Sequence, residues 1–504
     1  MAAPPATTTR ARTRTRTRTP EPSGPDADTR PTAPDRRWRL SRGWRNGLLT
    51  FPIALLVATG LSVDKPGRAR RRWHSPIPAV TAVFLVAVLG AATVGSAAVG
   101  ATGHPDDAVT RWARRAAYSL DTTVPGDPLN DLAPVRAALR GATVVGLGEA
   151  LHGVAEVTTL KHRVARLLVE QMGYRTIAWE EDWTTGLEID AYIRGGPGDA
   201  DQLVARMSPQ YQTAEVGDVL RWLRAFNVGR PDPVRFVGVE HYFTRDSAYA
   251  LIQDHVAAVA PDQLDELERH LEPIRPQSDD PFEHIGWYAM QDDKEAIVAD
   301  ARAVEDLVAR LRHRPGDRAH ETALHAARQI VSFYEFHRME EAQSAPFREQ
   351  RAAESLRWWQ GLTHDRVVYW AATPHTANAA TLRIVRPPED DLRFRSAGSY
   401  LHRWYGDGYR SVGFTVDHGA VRLGPTETAA LRPPAADWFE EPLGRVDLDQ
   451  LVLDLRRPVP SPSPGEGLRP VSSSGSWTTE TRAERCRATG WWTTRSSTGG
   501  SSTR

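Results

Sequence analysis

Apolar residues gather into five short runs along the middle of the chain. They are "TVVGLG" at 143–148, "TIAWEE" at 176–181, "VRFVGVE" at 234–240, "RVVYWAA" at 366–372 and "SVGFTV" at 411–416. Each reads as a strand, and helical periodicity separates them. In "VAEVTTLKHRVARLLVEQMGY", for example, Val157, Leu160, Val164, Leu167 and Leu168 share one helical face, and Gly173 supplies the stop. Near-continuous apolar strands alternating with helices predict an α/β fold, a mostly parallel sheet flanked by helices. Residues 250–345 contain no strand run, and stretches such as "DDKEAIVADARAVEDLVARLR" read as helix, so a helical insertion or cap is expected there.

The pattern changes outside residues 105–456, which bounds the expected folded domain. Residues 1–46, with "TRTRTRTRTP", are Arg-, Thr- and Pro-rich and are expected to form a disordered tail. A hydrophobic region at 47–104 follows. Its first run, 47–63, is short and interrupted by Pro52 and Gly60, whereas its second, 78–100, is uncharged and exceeds the roughly 20 residues that cross a bilayer. Arg68, Arg70, Arg71 and Arg72 lie between them, and the positive-inside bias keeps such a cluster in the cytoplasm.

The second run is therefore expected to act as a membrane anchor or signal peptide, leaving the domain extracytoplasmic, either membrane-anchored or secreted. Two full spans would instead place it on the cytoplasmic face of the membrane. Residues 457–504 lack periodicity, set Trp among Ser, Thr and Arg, and resemble translated out-of-frame DNA; disorder is expected.

Composition narrows the function classes. Acidic and basic residues balance at 63 each, so no global field draws the protein toward nucleic acid. The single cysteine, Cys486, excludes an intramolecular disulfide, a Cys-rich zinc site and a Cys-based redox pair. Lysine is scarce: only Lys65, Lys161 and Lys294 occur.

In a parallel sheet, ligands bind beyond the carboxyl ends of the strands. Four predicted strands end there in ionisable residues: Glu149 and His152; Glu180, Glu181 and Asp182; Glu240 and His241; and His375. Singly, each has a plain structural reading. Glu149 suits a helix N-terminus, the acidic run suits a solvated loop, and the histidines suit a core. Jointly they would crowd carboxylates and imidazoles around one cleft, an arrangement that is costly unless used.

The stretch "VVGLGEALHGVAEVTTLKHRVARLLVEQMGYRTIAWEEDW" resembles the erythromycin esterase family, whose signature is a strand, G-E-A-[ST]-H-G, a helix, and a strand ending in an acid. The resemblance continues in order through "VLRWLRAFN", "VRFVGVEHY", "FREQRAAESLRWW", "VVYWAATPHTANA" and "GSYLHRWYGDGYRSVGFT". It implies His152 as the general base that activates water, Glu180 as its carboxylate partner or positioning group, and Glu149 as a group that helps hold the imidazole or polarises the site. It also matches His375 to the second histidine of a W-x-H-N-x-H block. Arg348 matches the Arg, and Glu354 the Glu, of an R-D-x-x-M-A-E-N segment. Glu240 and His241 are assigned to substrate binding or support.

Four positions depart from that pattern: Ala372 replaces the first histidine, Thr373 its neighbouring asparagine, Glu349 the aspartate and Ser355 the asparagine. Ala372 and Thr373 are counted with the substrate-binding positions for that reason.

These residues suit attack of water on an ester or lactone carbonyl, including macrolide inactivation and response to an antibiotic. A histidine general base is typically worth about 10²–10⁴-fold. Arg348 or a protonated His375 would stabilise the developing oxyanion. No G-x-S-x-G elbow occurs, which argues against a covalent acyl-enzyme. The expectation is thus a hydrolase of small-molecule esters, without cofactor or resident metal, that meets the membrane through 78–100. Two other readings stand beside it. Glu149, His152, Glu180 and His375 are types that hold zinc or manganese in a metal-dependent hydrolase, and the Ala372 and Thr373 changes suit a non-catalytic cell-surface binding protein.

Overall fold

The five apolar runs become five neighbouring strands of one sheet. A computed structural model describes residues 108–384, 391–423, 427–434, 438–456 and 489–494. The tail at 1–46 and the apolar runs at 47–63 and 78–100 lie outside the described residues. Among the described residues no helix is long and apolar enough to cross a membrane.

The strands are β1 (Tyr118–Ser119), β2 (Val144–Glu149), β3 (Thr176–Asp182), β4 (Arg235–Glu240), β5 (Val367–Ala372), β6 (Leu382–Ile384), β7 (Leu392–Phe394), β8 (Tyr409–Val416), β9 (Gly419–Arg422), β10 (Thr428–Leu431), β11 (Gln450–Leu453) and β12 (Thr489–Thr494). The main sheet runs β1-β11-β12-β8-β2-β5-β3-β4, while β6 pairs with β7 and β9 with β10 in separate ribbons. Pairing from β12 through β4 is parallel, and β11 and β1 extend the edge antiparallel.

One strand falls where disorder was expected. Residues 489–494, "TGWWTT", pair in register with β8 from Thr489↔Ser411 to Thr494↔Val416. Trp and Thr suit a pleated surface, but both partners are distant in sequence, so no local periodicity announces the strand.

Alternating strand residues feed two cores. Val145, Leu147, Ile177, Trp179, Val368 and Trp370 face one side, against helices that include Ala155–Arg166 and Ala214–Asn227. Val144, Ala178, Val237, Val367, Tyr369 and Ala371 face the other. That second face is covered by helices Asp246–Val259, Lys294–Arg310, Arg318–Arg338 and Glu341–Thr363. The predicted helical insertion thus forms a covering layer of the sheet itself rather than a cap above it.

The short helix Thr373–Thr376, directly after β5, passes close over β2. A Cβ at Gly148 would strike Thr376 Oγ1 and lie 2.8 Å from Thr373 Cα, and one at Gly146 would lie 2.7 Å from the Tyr409 hydroxyl. The G-L-G spacing of β2 is therefore required by close backbone approach.

Candidate active site

Parallel pairing brings the carboxyl ends of β2, β3, β4 and β5 to one edge, and with them Glu149, Glu180, Glu240 and His375. A register shift between Trp179 and Asp182 interrupts the β3–β4 ladder at the acidic run. Bulges of this kind re-aim side chains.

One half of the site centres on Glu149, which is buried. Its Oε1 lies 2.9 Å from His152 Nδ1, and its Oε2 accepts from Lys161 Nζ. Lys161 is itself buried; it also donates to the Ala371 carbonyl at 3.3 Å and sits 4.5 Å over the Trp370 ring. Trp370 stacks on its cross-strand partner Trp179 at 4.3 Å, Trp179 meets the Tyr211 ring edge-on at 5.4 Å, and Tyr211 meets the His152 ring edge-on at 5.3 Å. Contacts thus close a complete ring from His152 through Glu149, Lys161, Trp370, Trp179 and Tyr211 back to His152.

The other half is a buried ion network. Arg348 donates from Nε and Nη2 to the two oxygens of Glu240, both at 2.9 Å, and from Nη2 to Glu180 Oε1 at 2.9 Å. His375 places Nε2 3.1 Å from Glu180 Oε1 and Nδ1 2.5 Å from Glu349 Oε1. Glu349 Oε2 accepts from the Ala397 amide at 2.7 Å. Glu180 Oε2 accepts from the Tyr211 hydroxyl at 3.0 Å and from the Ala372 amide at 2.8 Å. Glu180 and Tyr211 therefore join the two halves.

The two histidines are shifted in opposite directions. Burial lowers the His152 pKa against the pull of the Glu180 charge, and the His375 and Arg348 charges lower it further. Those effects favour the neutral imidazole of His152, while the Glu149 carboxylate 2.9 Å away favours its protonation. With Nδ1 toward the Glu149 carboxylate, its proton belongs on Nδ1 and its Nε2 lone pair is available. Burial also acts to lower the His375 pKa, but the Glu180 and Glu349 charges outweigh it and hold it up at about 10. For Glu180, burial is outweighed by His375, Arg348 and His152, which hold the carboxyl well below its ordinary range. Burial raises Glu240 despite Arg348.

Not every residue selected from sequence belongs to this cluster. His241 is buried between Phe336 and Phe347, and neither ring nitrogen has a hydrogen-bond partner. Glu354 points away along its helix, bonding Gln350 at 2.7 Å and Arg351 at 2.9 Å. Thr373 bonds the Gly148 carbonyl at 2.8 Å, and Ala372 contributes its backbone amide. Within the acidic run, Asp182 caps helix Trp183–Ile193, and Glu181 bonds the Ser208 amide at 2.7 Å. Burial raises their pKa values to about 6 and about 8.

Three site residues escaped the sequence reading. Lys161 lies four residues after Val157 and three before Val164, so the periodicity already placed it toward the buried face. Glu349 was counted as a departure, yet it carries the same charge as the aspartate it replaces and pairs with His375. Tyr211 had no sequence signal.

For a metal, the geometry is unfavourable. Among the described residues no group of three or more His, Cys, Asp or Glu side chains is arranged to hold an ion. The carboxylate oxygens of Glu149 and Glu180 and both ring nitrogens of His375 already meet protein partners.

Residues 169–492, more than half of the chain, match the Erythromycin esterase family. The chain belongs to the erythromycin esterase family. Over 129 residues it is 27% identical to erythromycin esterase type II of Escherichia coli, a stretch spanning 26% of this chain and 30% of that protein. A Bacillus cereus protein superposes with a TM-score of 0.64 at 22% identity, over 77% of this chain and 96% of its own. A succinoglycan biosynthesis protein gives 0.65 at 22% identity, with the same coverages. An erythromycin esterase mutant in its open conformation gives 0.58 at 16% identity, over 75% of this chain and 97% of its own.

At these identities the solved structures establish the shared erythromycin esterase-like fold. Glu149 and His152 precede the matched residues, so their assignment rests on the geometry above.

Proposed function

We propose that this family member hydrolyses a carboxylic ester or lactone by metal-independent attack of water, with His152 as general base. The carrying observation is the His152–Glu149 contact at 2.9 Å, made by an imidazole whose pKa burial acts to lower. His152 Nε2 takes a proton from water as the oxygen attacks the carbonyl carbon. The imidazolium formed is balanced by Glu149 across Nδ1. The proton then passes from Nε2 to the departing alkoxide oxygen, leaving a carboxylic acid and an alcohol. Arg348 and His375 are paired with Glu180, Glu240 and Glu349, so a donor of either serves the oxyanion of the tetrahedral intermediate only by turning from its carboxylate toward the substrate. Macrolide lactones are the substrate class the family name suggests, and their opening would serve in the response to an antibiotic.

The test is hydrolysis of a panel of macrolides, simple lactones and aryl esters by metal-free protein, followed by mass spectrometry for the addition of one water. His152→Ala should lower kcat/KM by at least about 100-fold for any responsive ester, with the fold intact by circular dichroism. Near-wild-type rates in that variant would disprove the assignment. Inactivity of the natural protein on every ester would return the binding-protein reading.

A further inference from the structure

Tyr211 touches both the candidate base and the carboxylate shared by the two halves of the site. It ends the turn Pro209–Tyr211, between helices Ala200–Arg206 and Ala214–Asn227. Within the turn its amide donates to the Ser208 carbonyl at 2.9 Å. The turn is stapled from below. Ser208 donates its amide to Glu181 Oε2 at 2.7 Å, its hydroxyl lies 3.0 Å from Glu181 Oε1, and Tyr242 approaches that hydroxyl at 2.9 Å. The acidic run is thus divided in its work. Glu180 faces the reaction cleft, while Glu181 anchors the loop that brings Tyr211 to it.

We propose that Tyr211 is a positioning residue whose ring and hydroxyl do separate jobs. The ring packs edge-on against His152 and keeps its Nδ1 turned to Glu149, and the hydroxyl holds Glu180 in place beneath Arg348 and His375. This rests on the hydrolase reading for its catalytic consequence, but the placement of His152 is measurable without turnover.

Geometry supports the division. The ring contact to His152 is 5.3 Å between centroids at 79°, an attractive edge arrangement that excludes water from that side of the imidazole. The hydroxyl contact to Glu180 is 3.0 Å, a bond to a charged acceptor and hence among the stronger kind. Burial, reinforced by the Glu180, Tyr242 and Glu181 groups, raises the Tyr211 pKa well above its ordinary value. The phenol therefore stays protonated and remains a donor. The charged groups acting on His152 are Glu149 at Nδ1, with Glu180, His375 and Arg348 beyond it; none belongs to the Tyr211 loop. Removing the ring should thus act on His152 through exposure to water and through the freedom of Nδ1 to leave Glu149.

The experiment compares Tyr211→Phe with Tyr211→Leu in the full chain, reading the His152 imidazole titration by NMR and the pH profile of kcat/KM. Tyr211→Phe keeps the ring; kcat should fall by about 10-fold as Glu180 loses a donor, with the His152 midpoint unchanged. Tyr211→Leu should move that midpoint by at least about half a unit, and shift the acid limb of the profile with it. Tyr211→Met replaces the Leu variant if that one does not fold. An unmoved His152 midpoint in the ring-deleted protein, or an equal shift in both variants, would overturn the proposal. A moved midpoint in a protein that hydrolyses no ester would support the positioning role and count against the hydrolase reading alone.

Discussion

Lys161 grips the Glu149 carboxylate from inside the core, on the oxygen opposite the one that meets His152. The pair is buried on both sides, so its partners depend on each other. Lys161→Met leaves an uncompensated carboxylate and should cost about 3–5 kcal/mol in urea unfolding. Adding Glu149→Gln to that variant should recover a substantial part of the loss, because the orphaned charge is gone. A Lys161→Met protein as stable as the parent would contradict the pairing.

His375 makes stability fall at high pH. Its pKa rises from the ordinary 6.5 to about 10 on folding, so the folded state binds its proton more tightly. That contribution is fully present below pH 6.5 and is lost as pH rises through about 10. His375→Gln should therefore flatten the decline in unfolding free energy between pH 7 and pH 10. The difference between the two curves, measured with urea at several pH values, should shrink as pH increases.

Gly148→Ala should destabilise the domain although alanine is a small residue. The added methyl would meet Thr376 Oγ1 and the Thr373 backbone, and only backbone movement relieves the second contact. Overpacking of this kind costs about 1–3 kcal/mol. Gly141→Ala offers no matched control because its φ is +83°, whereas Gly361→Ala, with open space around the site, should be neutral or slightly stabilising.

Ala372 and Thr373 should tune specificity. Their present polar contacts are internal: the Ala372 amide meets Glu180, and the Thr373 hydroxyl meets the Gly148 carbonyl. The double change Ala372→His with Thr373→Asn adds an imidazole and an amide at the strand end and should raise turnover of a macrolide lactone relative to a simple ester. Equal erythromycin hydrolysis by both forms would refute this.

Part of this protein was legible along the chain. The five parallel strands are buried on both faces, and that demand writes itself into consecutive apolar residues. The rule that ligands gather at strand carboxyl ends then located Glu149, His152, Glu180, Glu240 and His375, because each directly ends or follows such a run. Even the burial of Lys161 was implicit in the spacing of Val157, Leu160 and Val164.

What only the tertiary structure decided are the partners. The Arg348–Glu180 bond joins residues 168 apart in sequence and the Ala372–Glu180 bond residues 192 apart, and no local period encodes such pairings. Placing β5 between β2 and β3 brings Glu180 to His375; β12 exists because β8 and β11 flank it. The same helix carries Arg348 into the cleft and Glu354 out of it, since six residues turn a side chain about 240° around the axis. His241 follows Glu240 directly and falls on the other side of the chain, among aromatic rings. Which ionisable residues share a site is set by direction as well as position, and direction follows from packing.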